Sequence, residues 1–539
     1  MHVLVFHGYL LRGTGSNVYN ARLVPALVRA GHTVDLLAQE PRAHEIAWVD
    51  AVGASASDGA VTGVEVLRDP VAVTVWQPDI GGLLPVYVKD RYPGFTVKTF
   101  VECSEEEVEA YVVANARAIA AICARRPPDL ALINHLVMGP LAATRGLPAD
   151  VPYAVKVHGS DLEYAVAPAP ARFVPAAQEG IERAATLLVG SGHTARRMFE
   201  LLQDRGLPAR TRLGPPGVDT ESFRPRSPAE AEAEVRAVAE RLLAGGVRDE
   251  AGTFARDEHA VARALLSLDL SDGPHVAYVG KLLRNKGVDL LAAAWPLVLA
   301  ACPDAKLVVV GFGDFAESFD ALVSALSIGD LDAVHGLCAE HALRHLVAFL
   351  DAGGADAAYL AAARGLPDSI TRTGRLEHDE LAPLLSACTA QVVSSTFPEA
   401  YGMVAAEAAA AGALPIVAAH SGLDEVAATL APGLPAEARE LLRFAVGPHA
   451  VSGLAGRVVR LAGDGTRAAG GHPSIARRHG PAAVRMGRRR QRGDRRGAGP
   501  SRRARAAPLT SALPDVQSRR RPTNATAGSS EPSVRRRCT

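Results

Sequence analysis

Short apolar runs alternate with longer amphipathic stretches at the start of the chain. The run HVLVF (2–6) precedes SNVYNARLVPALVRAG (16–31), where apolar side chains recur every three or four residues, and HTVDLLA (32–38) follows. Continuous apolar runs of this length indicate strands, and a period near 3.6 indicates a helix. Strand, helix and strand in this order predict a parallel sheet with helices on its faces. We expect Ser16 to cap the helix and Gly31 to close it.

Three more apolar runs of strand length follow in the first half of the chain. They are LALIN (130–134), YAVKVHG (153–159) and TLLVGS (186–191). At LGPPGVDTESFRP (213–225) the periodicity stops, and Pro and Gly cluster as they do in linkers. A charged stretch with helical spacing, SPAEAEAEVRAVAERLLAGG (227–246), comes next, so one domain ends here.

The strand–helix–strand rhythm restarts at HVAYVG and continues to KLVVVG, over residues 275–311. Residues 315–368 have helical patterns with no strand between them, which indicates an insertion. Strands resume at QVVSS (391–395) and LPIVAA (414–419). We therefore predict an α/β protein of two Rossmann-like, doubly wound domains that face one another. Ligands of such sheets bind beyond the carboxyl ends of the strands, so the cleft is the expected site.

The predicted boundaries divide the chain into four parts. Residues 1–215 form the N-terminal Rossmann-like domain, and 216–270 form a linker with the charged helical segment. Residues 271–445 form the C-terminal Rossmann-like domain with its helical insertion, and 446–539 are a remnant followed by an Arg-rich tail. A chain of 539 residues is too long for one core, which agrees with two folded domains.

Charge is divided unevenly, although the formal net charge of the whole chain is zero. Residues 477–539 contain 18 arginines and 3 acidic residues, a net charge of +15, so residues 1–476 carry −15. Almost no large apolar side chain occurs in this tail, and we predict that it is disordered. Our hypothesis is a frameshift near residue 470. A nucleic-acid-binding tail is the alternative; basic density favours phosphate contact, but aromatic residues for base stacking are absent there.

Composition narrows the classes of protein further. With 48% hydrophobic and 22% charged residues, the chain as a whole has the composition of an ordinary globular protein. No run of about 18 apolar residues occurs, so no membrane-spanning helix is predicted. The six cysteines are scattered without a CxxC pair, which favours a reducing cytoplasm over a structural zinc site. The N-terminus reads as a strand rather than a signal peptide.

Two lysines follow HVAYVG, the first predicted strand of the C-terminal domain. In GKLLRNKG, Lys281 and Lys286 lie five residues apart in a strand-to-helix turn, with Gly280 and Gly287 at its ends. Two ammonium groups at this edge could hold a doubly charged diphosphate without a metal. Solvated surface lysines are the alternative interpretation.

A helix with one carboxylate at its start and another about two turns inside it follows the strand QVVSS, in FPEAYGMVAAEAAAAG (397–412). The helix is predicted to begin near Gly402, so the amides of Gly402, Met403 and Val404 would attract phosphate oxygens. Glu399 at the helix start could accept hydrogen bonds from hydroxyls. Glu407 lies about 12 Å further along the helix axis and could bind a second hydroxyl pair. Phosphate flanked by hydroxyls outlines a nucleotide sugar; a capping Glu and a chance Glu are the alternative.

The N-terminal domain supplies residues for the facing wall. Gly13 and Gly15 precede a helix, which is a phosphate-binding position. As a dinucleotide fingerprint this loop fails, because Val18 stands where the third glycine belongs. The strand YAVKVHG ends at His158, which places an imidazole at the cleft edge, although a strand-end His also serves structural roles.

Taken together, these motifs resemble the family 4 glycosyltransferases of GT-B fold. The resemblance covers roughly residues 1–435, and the E-x7-E element followed by AGALPIVAAHSGLDEV is its most specific part. The other stretches that carry it are GTGSNVY, VKVHGSDLEY, GSGHTARRM, PPGVDTESFRP, VGKLLRNKG and TGRLEHDEL. It implies retaining transfer of a hexose from a nucleotide diphosphate sugar, most commonly a UDP-sugar, with no cofactor or obligatory metal.

The resemblance also implies residue roles. Glu399 would bind donor-sugar hydroxyls, Glu407 the ribose, and Lys286 the pyrophosphate, with Gly15 nearby. His158 would contact the sugar close to the reacting carbon. The remaining donor contacts would come from the Gly402, Met403 and Val404 amides and from backbone groups of Arg375 and Leu376, which would hold the base.

One position departs from the family pattern. Lys281 stands where the family usually has Arg, so the charge is kept but the bidentate fork is lost. The pair Asp330 and Asp332 superficially resembles a metal-binding motif, but we expect solvated surface in the helical insertion. We predict no metal site.

The acceptor is not predicted beyond its location in the N-terminal domain. Within PDIGGLLPVYVKDRYPGF (78–95), Asp90 and Arg91 are candidate polar contacts, and an ordinary surface loop is the alternative. A small-molecule, glycan or lipid acceptor is open, as is peripheral membrane contact by a cytoplasmic enzyme. Other functions that stay open are a GT-B-like epimerase, a pyridoxal-phosphate-dependent phosphorylase, and a product inactivated by its scrambled C-terminus.

Overall fold

Two mainly parallel sheets organise the part of the chain that the structure describes. The structure is a computed structural model and describes residues 1–13, 15–89, 92–245, 256–271 and 273–467. The Arg-rich tail and the proposed frameshift lie outside these residues.

The N-terminal domain is built on a nine-stranded sheet with the order β11-β10-β9-β8-β1-β2-β5-β3-β4, in which only the β3–β4 pair is antiparallel. A separate parallel pair, β6–β7, lies beside it. The strands are β1 (His2–Phe6), β2 (Thr33–Leu37), β3 (Ala51–Ser55), β4 (Val61–Val66), β5 (Val73–Pro78), β6 (Leu83–Val86), β7 (Thr96–Thr99), β8 (Leu130–Asn134), β9 (Tyr153–Val157), β10 (Thr186–Val189) and β11 (Thr211–Leu213). The helices are α1 (Ser16–Arg29), α2 (Glu105–Arg125), α3 (Gly139–Gly146), α4 (Pro170–Ile181), α5 (Gly192–Leu202) and α6 (Leu207–Arg210).

The C-terminal domain has a six-stranded parallel sheet with the order β14-β13-β12-β15-β16-β17. Its strands are β12 (His275–Val279), β13 (Lys306–Val310), β14 (Ile370–Gly374), β15 (Ala390–Val393), β16 (Leu414–Ala418) and β17 (Arg443–Phe444). Its helices, with the segment that precedes it, are α7 (Pro228–Ala244), α8 (Glu258–Leu266), α9 (Val288–Ala301), α10 (Ala316–Ile328), α11 (Leu331–His341), α12 (Arg344–Asp351), α13 (Ala357–Ala363), α14 (Leu366–Ser369), α15 (His378–Ala387), α16 (Met403–Ala411), α17 (Ser421–Leu430), α18 (Ala436–Leu441) and α19 (Ala450–Arg467).

The strand order confirms the predicted doubly wound architecture. In the first sheet the order reverses at β1, which pairs with β2 on one side and β8 on the other. In the second sheet it reverses at β12, between β13 and β15. Crevices form at these switch points, beyond the carboxyl ends of the strands. The loops that carry the predicted chemistry therefore start where a crevice begins.

Each domain buries its own apolar core on the faces of its sheet. Val155 and Val157 of β9 point into the N-terminal core, and Trp295 of α9 is fully buried in the C-terminal core. The apolar face of α19, with Val451 and Leu454, completes the C-terminal core. The described chain thus stays folded beyond residue 445, where the sequence analysis set a boundary.

The predicted start of α1 needs a correction. Ser16 is the first helical residue and makes no side-chain cap; the N-cap is Gly15, with φ 61°. A left-handed residue is needed where the loop turns into the helix, and glycine adopts it without strain. At the other end the prediction is confirmed, because Gly31 has φ 85° and donates to the carbonyl of Val28.

Candidate active site

The carboxyl edges of the two sheets enclose a cavity of about 510 Å³. It is lined by residues from both domains, and its volume lies in the range of small-molecule sites. Asp90 and Arg91, the predicted acceptor contacts, lie outside the described residues, although their neighbours Val88 and Tyr92 line the cavity. The other predicted site residues all line it: Gly15, His158, Lys281, Lys286, Arg375, Leu376, Glu399, Gly402, Met403, Val404 and Glu407.

The loop after β12 positions the two lysines. Lys281 Nζ lies 5.9 Å from the ring centre of Phe312. Lys286 ends a 3₁₀ turn, and Gly287 follows with φ 67°. A Cβ at residue 287 would overlap the carbonyl oxygen of Ser394 at the end of β15. Glycine is therefore required here, and it fixes the lysine loop against the neighbouring strand.

Lys286 forms an ion pair with Glu399 across the cavity wall. Burial lowers the pKa of the Lys286 ammonium, but attraction to the Glu399 carboxylate and their hydrogen bond outweigh it and hold the pKa above its usual value. Lys286 thus stays charged at neutral pH. The pair joins the two predicted motifs, GKLLRNKG and PEAYG, at one point of the cleft.

The N-terminus of α16 faces the same cavity without a side-chain cap. Its N-cap is Gly402, with φ 102°, and no side chain in the described part of the protein accepts from the first amides. The preceding loop is fixed by hydrogen bonds from Glu399 N to Ser421 Oγ at 2.9 Å and from Gly422 N to Glu399 O at 2.9 Å. These amides carry the positive end of the helix dipole and suit an anion.

Glu407 and the base-binding segment lie at the far end of the cavity. Glu407 is 4% exposed, and His378 Nε2 lies 3.2 Å from its Oε1. The carbonyl of Arg375 accepts from Arg256 Nη1 at 3.1 Å. A base contact through that carbonyl would have to share it with Arg256, so Leu376 is the freer of the two predicted backbone contacts.

His158 stands on the opposite wall, at the end of β9. Its ring packs against His135, with 4.7 Å between ring centres, and against Tyr19 at 5.3 Å. Burial, followed by the nearby His135 and Lys156, lowers the pKa of His158 well below its usual value. The imidazole is therefore neutral at physiological pH.

Direct contacts between the domains close the cleft. Both carboxylate oxygens of Glu425 accept from the first amides of α5, Gly192 N and His193 N, each at 2.7 Å. Thr194 Oγ1 donates to Ala400 O at 3.2 Å. The rings of Tyr164 and Phe397 stack with 5.8 Å between centres. The two walls are thus held in one arrangement.

Family models cover both domains. The Glycosyl transferase 4-like domain matches residues 14–217, and the Glycosyl transferases group 1 domain matches residues 268–440. This chain belongs to the group 1 glycosyltransferases.

Curated relatives agree with this assignment. A GDP-mannose-dependent alpha-(1-6)-phosphatidylinositol monomannoside mannosyltransferase from Mycolicibacterium smegmatis is 30% identical over 190 residues, or 32% of this chain. The match spans about half (49%) of that relative's length. A D-inositol 3-phosphate glycosyltransferase from Frankia alni is 27% identical over 444 residues, covering 77% of this chain and 92% of the relative.

Solved structures share the fold of this group 1 glycosyltransferase. Sucrose-phosphate synthase from Thermosynechococcus elongatus aligns with a TM-score of 0.51 at 21% identity, covering 90% of this chain and 93% of that one. The catalytic domain of starch synthase IV from Arabidopsis thaliana, bound to ADP and acarbose, aligns with a TM-score of 0.52 at 12% identity, covering 90% and 94%. Both likenesses support the GT-B fold.

Sequence reasoning missed two buried groups of this glycosyltransferase that line the cavity. Lys156, in the centre of β9, is 2% exposed, and its ammonium donates to the carbonyl of Gly214. A lysine inside the apolar run YAVKVHG was the available signal. His135, with φ 67°, is also 2% exposed, and neither ring nitrogen has a hydrogen-bond partner among the described residues.

The described residues contain neither a cluster of metal ligands nor a helix that could span a membrane. In that part of the glycosyltransferase, no group of three or more His, Cys, Asp or Glu side chains could hold a metal ion. Asp330 instead caps α11 by accepting from Ala333 N at 2.9 Å. Within the same residues, no helix has both the length and the apolar character that a membrane crossing requires.

Proposed function

We propose that this enzyme is a retaining glycosyltransferase that transfers a sugar from a nucleotide diphosphate sugar to a hydroxyl group of an acceptor. The observation that carries the proposal is that Lys281, Lys286 and the start of α16 line one cavity, where Lys286 pairs with Glu399 in the loop before α16. Positive charge from three sources in one cavity suits a diphosphate. Glu399 and Glu407 line the same cavity and would bind the hydroxyl groups on either side of the diphosphate.

The proposed reaction needs no protein nucleophile. The bond between the anomeric carbon and the diphosphate breaks, and its electron pair goes to the phosphate oxygen. Lys281, Lys286 and the α16 amides stabilise the charge that develops there. The acceptor oxygen bonds to the anomeric carbon from the same face, and its proton passes to the departing phosphate oxygen. Closure of the domains excludes water from these charges.

The acceptor would approach from the N-terminal wall. Tyr9, Tyr87 and His135 line this side of the cavity and pack edge to face or tilted against one another. Aromatic faces with polar tips suit a ring that carries hydroxyls. The names of the relatives, which include a D-inositol 3-phosphate glycosyltransferase, fit an acceptor of this kind.

The test is nucleotide binding by the purified full chain. Thermal unfolding is measured with UDP, GDP, ADP and TDP, for the wild type and for Lys286→Ala. One nucleotide is expected to stabilise the wild type by about 2.7 kcal/mol at 100 times its Kd. Lys286→Ala should lose this effect because the ammonium that faces the diphosphate is gone. Lys306→Ala is the matched control, since Lys306 is a half-buried lysine of the same domain that, among the described residues, donates only to the carbonyl of Asp368.

The panel separates the alternatives. UDP is the nucleotide that we expect to bind. GDP is the next candidate, because one relative is GDP-mannose-dependent. A cooperative melt that no nucleotide shifts would overturn the donor site. Absence of a cooperative melt would instead point to the inactive, scrambled product, and visible absorbance of the purified protein would point to a pyridoxal-phosphate enzyme. Once the donor is known, the anomeric configuration of the product tests retention.

A further inference from the structure

A chain of buried polar side chains runs from His158 through the N-terminal domain. It consists of Asn134 at the end of β8, Asn20 in α1 and His7 after β1, which are 1%, 0% and 0% exposed. His158 Nε2 lies 2.8 Å from Asn134 Oδ1, and Asn134 Nδ2 donates to Asn20 Oδ1 at 2.9 Å. Asn20 Nδ2 lies 3.0 Å from His7 Nδ1. Four polar side chains are thus linked in series where unpaired groups would be costly.

Backbone carbonyls fix which way each amide points. Asn134 Nδ2 lies 3.0 Å from Phe6 O, and Asn20 Nδ2 lies 2.8 Å from Ser16 O. A carbonyl oxygen can only accept, so in both side chains the atom facing it must be the NH₂ group. The oxygen of Asn134 therefore faces His158, and the NH₂ group of Asn20 faces His7. Neither assignment can be reversed without two acceptors facing one another.

The direction of these hydrogen bonds determines which ring nitrogen of His158 carries the proton. Because Asn134 Oδ1 can only accept, His158 Nε2 must carry the hydrogen. In a neutral imidazole, Nδ1 then has the lone pair. His158 is half-buried and lines the cavity, and among the described residues its Nδ1 has no hydrogen-bond partner. The atom available to a ligand is thus an acceptor.

At its other end, the series of hydrogen-bonded side chains reaches the glycine loop, residues 8–15. His7 Nε2 lies 2.9 Å from Leu10 O and so donates to it. Asn17, 5% exposed, lies 3.1 Å from the same nitrogen, and its Nδ2 donates to Arg12 O at 2.8 Å. The described part of this loop lines the cavity at Tyr9, Gly13 and Gly15. The conformation of the loop and the proton position on His158 are therefore joined by one set of hydrogen bonds.

We propose that Asn134, Asn20 and His7 are positioning residues that hold His158 as its neutral Nε2–H tautomer, so that Nδ1 accepts a hydrogen bond from a hydroxyl of the donor sugar. The sugar half of this inference rests on the proposed function. The tautomer half does not, because it concerns the protein alone. A sugar that places a carboxylate at this point would set lone pairs against a lone pair, so the site selects a hydroxyl there.

The surroundings of His158 agree with a neutral ring. The groups that titrate around it are His135, His7, Tyr19, Lys156 and Asp161. Burial lowers the pKa of His7 to about 4 and that of His135 well below its usual value. The Asp161 carboxylate accepts from the amides of Leu136, Gly159 and Leu162. It is thus committed to the backbone rather than to the imidazole.

The first experiment reads the tautomer directly. ¹⁵N-histidine-labelled full-length protein is examined by long-range ¹H–¹⁵N correlation, with His158→Gln to assign the signal. The two tautomers give distinct nitrogen shifts. We expect His158 as the Nε2–H form, without titration between pH 6 and 8. An Nδ1–H form, or an imidazolium at neutral pH, would overturn the proposal, and neither result depends on knowing the substrate.

Two variants test whether the chain causes the tautomer. Asn134→Leu removes the acceptor of His158, and Asn20→Leu breaks the chain one side chain further away. Asn134→Leu should populate the second tautomer, and Asn20→Leu should do so to a smaller extent, because Phe6 O still accepts from Asn134 Nδ2. Asn115→Leu is the matched control, because Asn115 is also 1% exposed in the N-terminal domain and donates only to Tyr111 O. A wild-type His158 signal in both variants would contradict the inference, and a cooperative melt confirms that each variant folds.

Kinetics add a readout that lost stability alone would not move. With the donor identified by the nucleotide panel, misorientation of His158 should lower kcat about 10- to 100-fold, with a smaller change in KM. An unchanged kcat in a folded Asn134→Leu variant would remove the role in transfer. If the protein has the fixed Nε2–H tautomer but transfers no sugar, the proposed function is overturned. The inference about the tautomer then still stands.

Discussion

A buried lysine sits behind the proposed active site, and its charge has a cost. Lys156 contacts the carbonyl of Gly214 and lies 5.4 Å from the ring centre of Tyr19. No carboxylate pairs with it among the described residues. Burial lowers its pKa from 10.5 to about 8, although the nearby Asp161 partly opposes this. An apolar side chain of similar length would avoid the burial of charge.

We predict that Lys156→Met changes how stability depends on pH. Below pH 8 both folded and unfolded lysine are protonated, so the wild type bears the full cost of burial. Between pH 8 and 10.5 the unfolded chain binds a proton that the folded chain has released, so wild-type stability rises with pH. Relative to the variant, the rise should total about 3 kcal/mol for a pKa shift of this size.

Urea unfolding at pH 7.5, 9 and 10 measures this difference. The variant should be the more stable protein at pH 7.5 and lose its advantage by pH 10. Lys306→Met serves as the control at a half-buried lysine and should show no such trend. A constant difference between wild type and Lys156→Met at all three values would show that the ammonium is not desolvated.

At the scale of elements, the functional loops depend on glycines where strands turn into helices. Gly287 both ends the lysine turn and starts α9, and its left-handed conformation leaves no space for a side chain beside Ser394. Gly402 plays the same part at α16, where a Cβ would press against Leu423. These two glycines bring the lysine loop and the α16 amides to one point.

Gly287→Ala should therefore impair both stability and nucleotide binding. The left-handed conformation costs alanine about 1–2 kcal/mol, and the overlap with Ser394 must displace the loop that carries Lys286. Thermal unfolding with and without the nucleotide measures both effects. Gly336→Ala in the middle of α11, where a Cβ meets nothing, should instead stabilise by about 0.5–1 kcal/mol. Equal behaviour of the two variants would contradict the assigned role of Gly287.

The sequence predicted the elements whose pattern is local. The strands β12, β13, β15 and β16 are continuous apolar runs, and the loops after them carry the site because parallel strands end at one edge. The strands β3 to β7 were not predicted, since β4 is largely exposed and Gly53 interrupts β3. That glycine leaves room for the ring of Trp76 on the neighbouring strand, a reason that only the tertiary structure reveals.

The same limit applies to the site. His158 and the E-x7-E element were predicted because they stand at strand ends and helix starts. Asn20 and Asn134 were not singled out, because their role depends on α1 packing beside β8, far away in sequence. The residue roles that the resemblance implies stay predictions until binding is measured, and so does UDP as the nucleotide of the donor.

For the whole molecule, Glu425 is the main polar link between the domains. It accepts two hydrogen bonds from the start of α5 and lies 3.7 Å from Arg196. A carboxylate at a helix N-terminus is favoured by the dipole. Here the helix belongs to one domain and the carboxylate to the other, so the favourable energy exists only in the closed arrangement.

Glu425→Gln should weaken closure. The amide can accept at one atom only, and its NH₂ group would face a backbone N–H. Hydrogen bonds to charged groups contribute about 1.5–3 kcal/mol each, so we expect a larger radius of gyration in small-angle X-ray scattering and weaker nucleotide binding. Glu437→Gln, on an exposed position of α18, controls for lost charge. An unchanged radius and affinity would show that other contacts suffice.

Hydrogen exchange at the amides of Gly192 and His193 should report on the opening of the cleft. They are at the start of α5, where no helical carbonyl can accept from them, and among the described residues only Glu425 of the other domain accepts from them. Exchange of these two hydrogens for deuterium should therefore proceed only during excursions to the open form. Measured site by site, their exchange rates would count the opening events of the cleft in the free enzyme, and a bound nucleotide that holds it shut should slow both together.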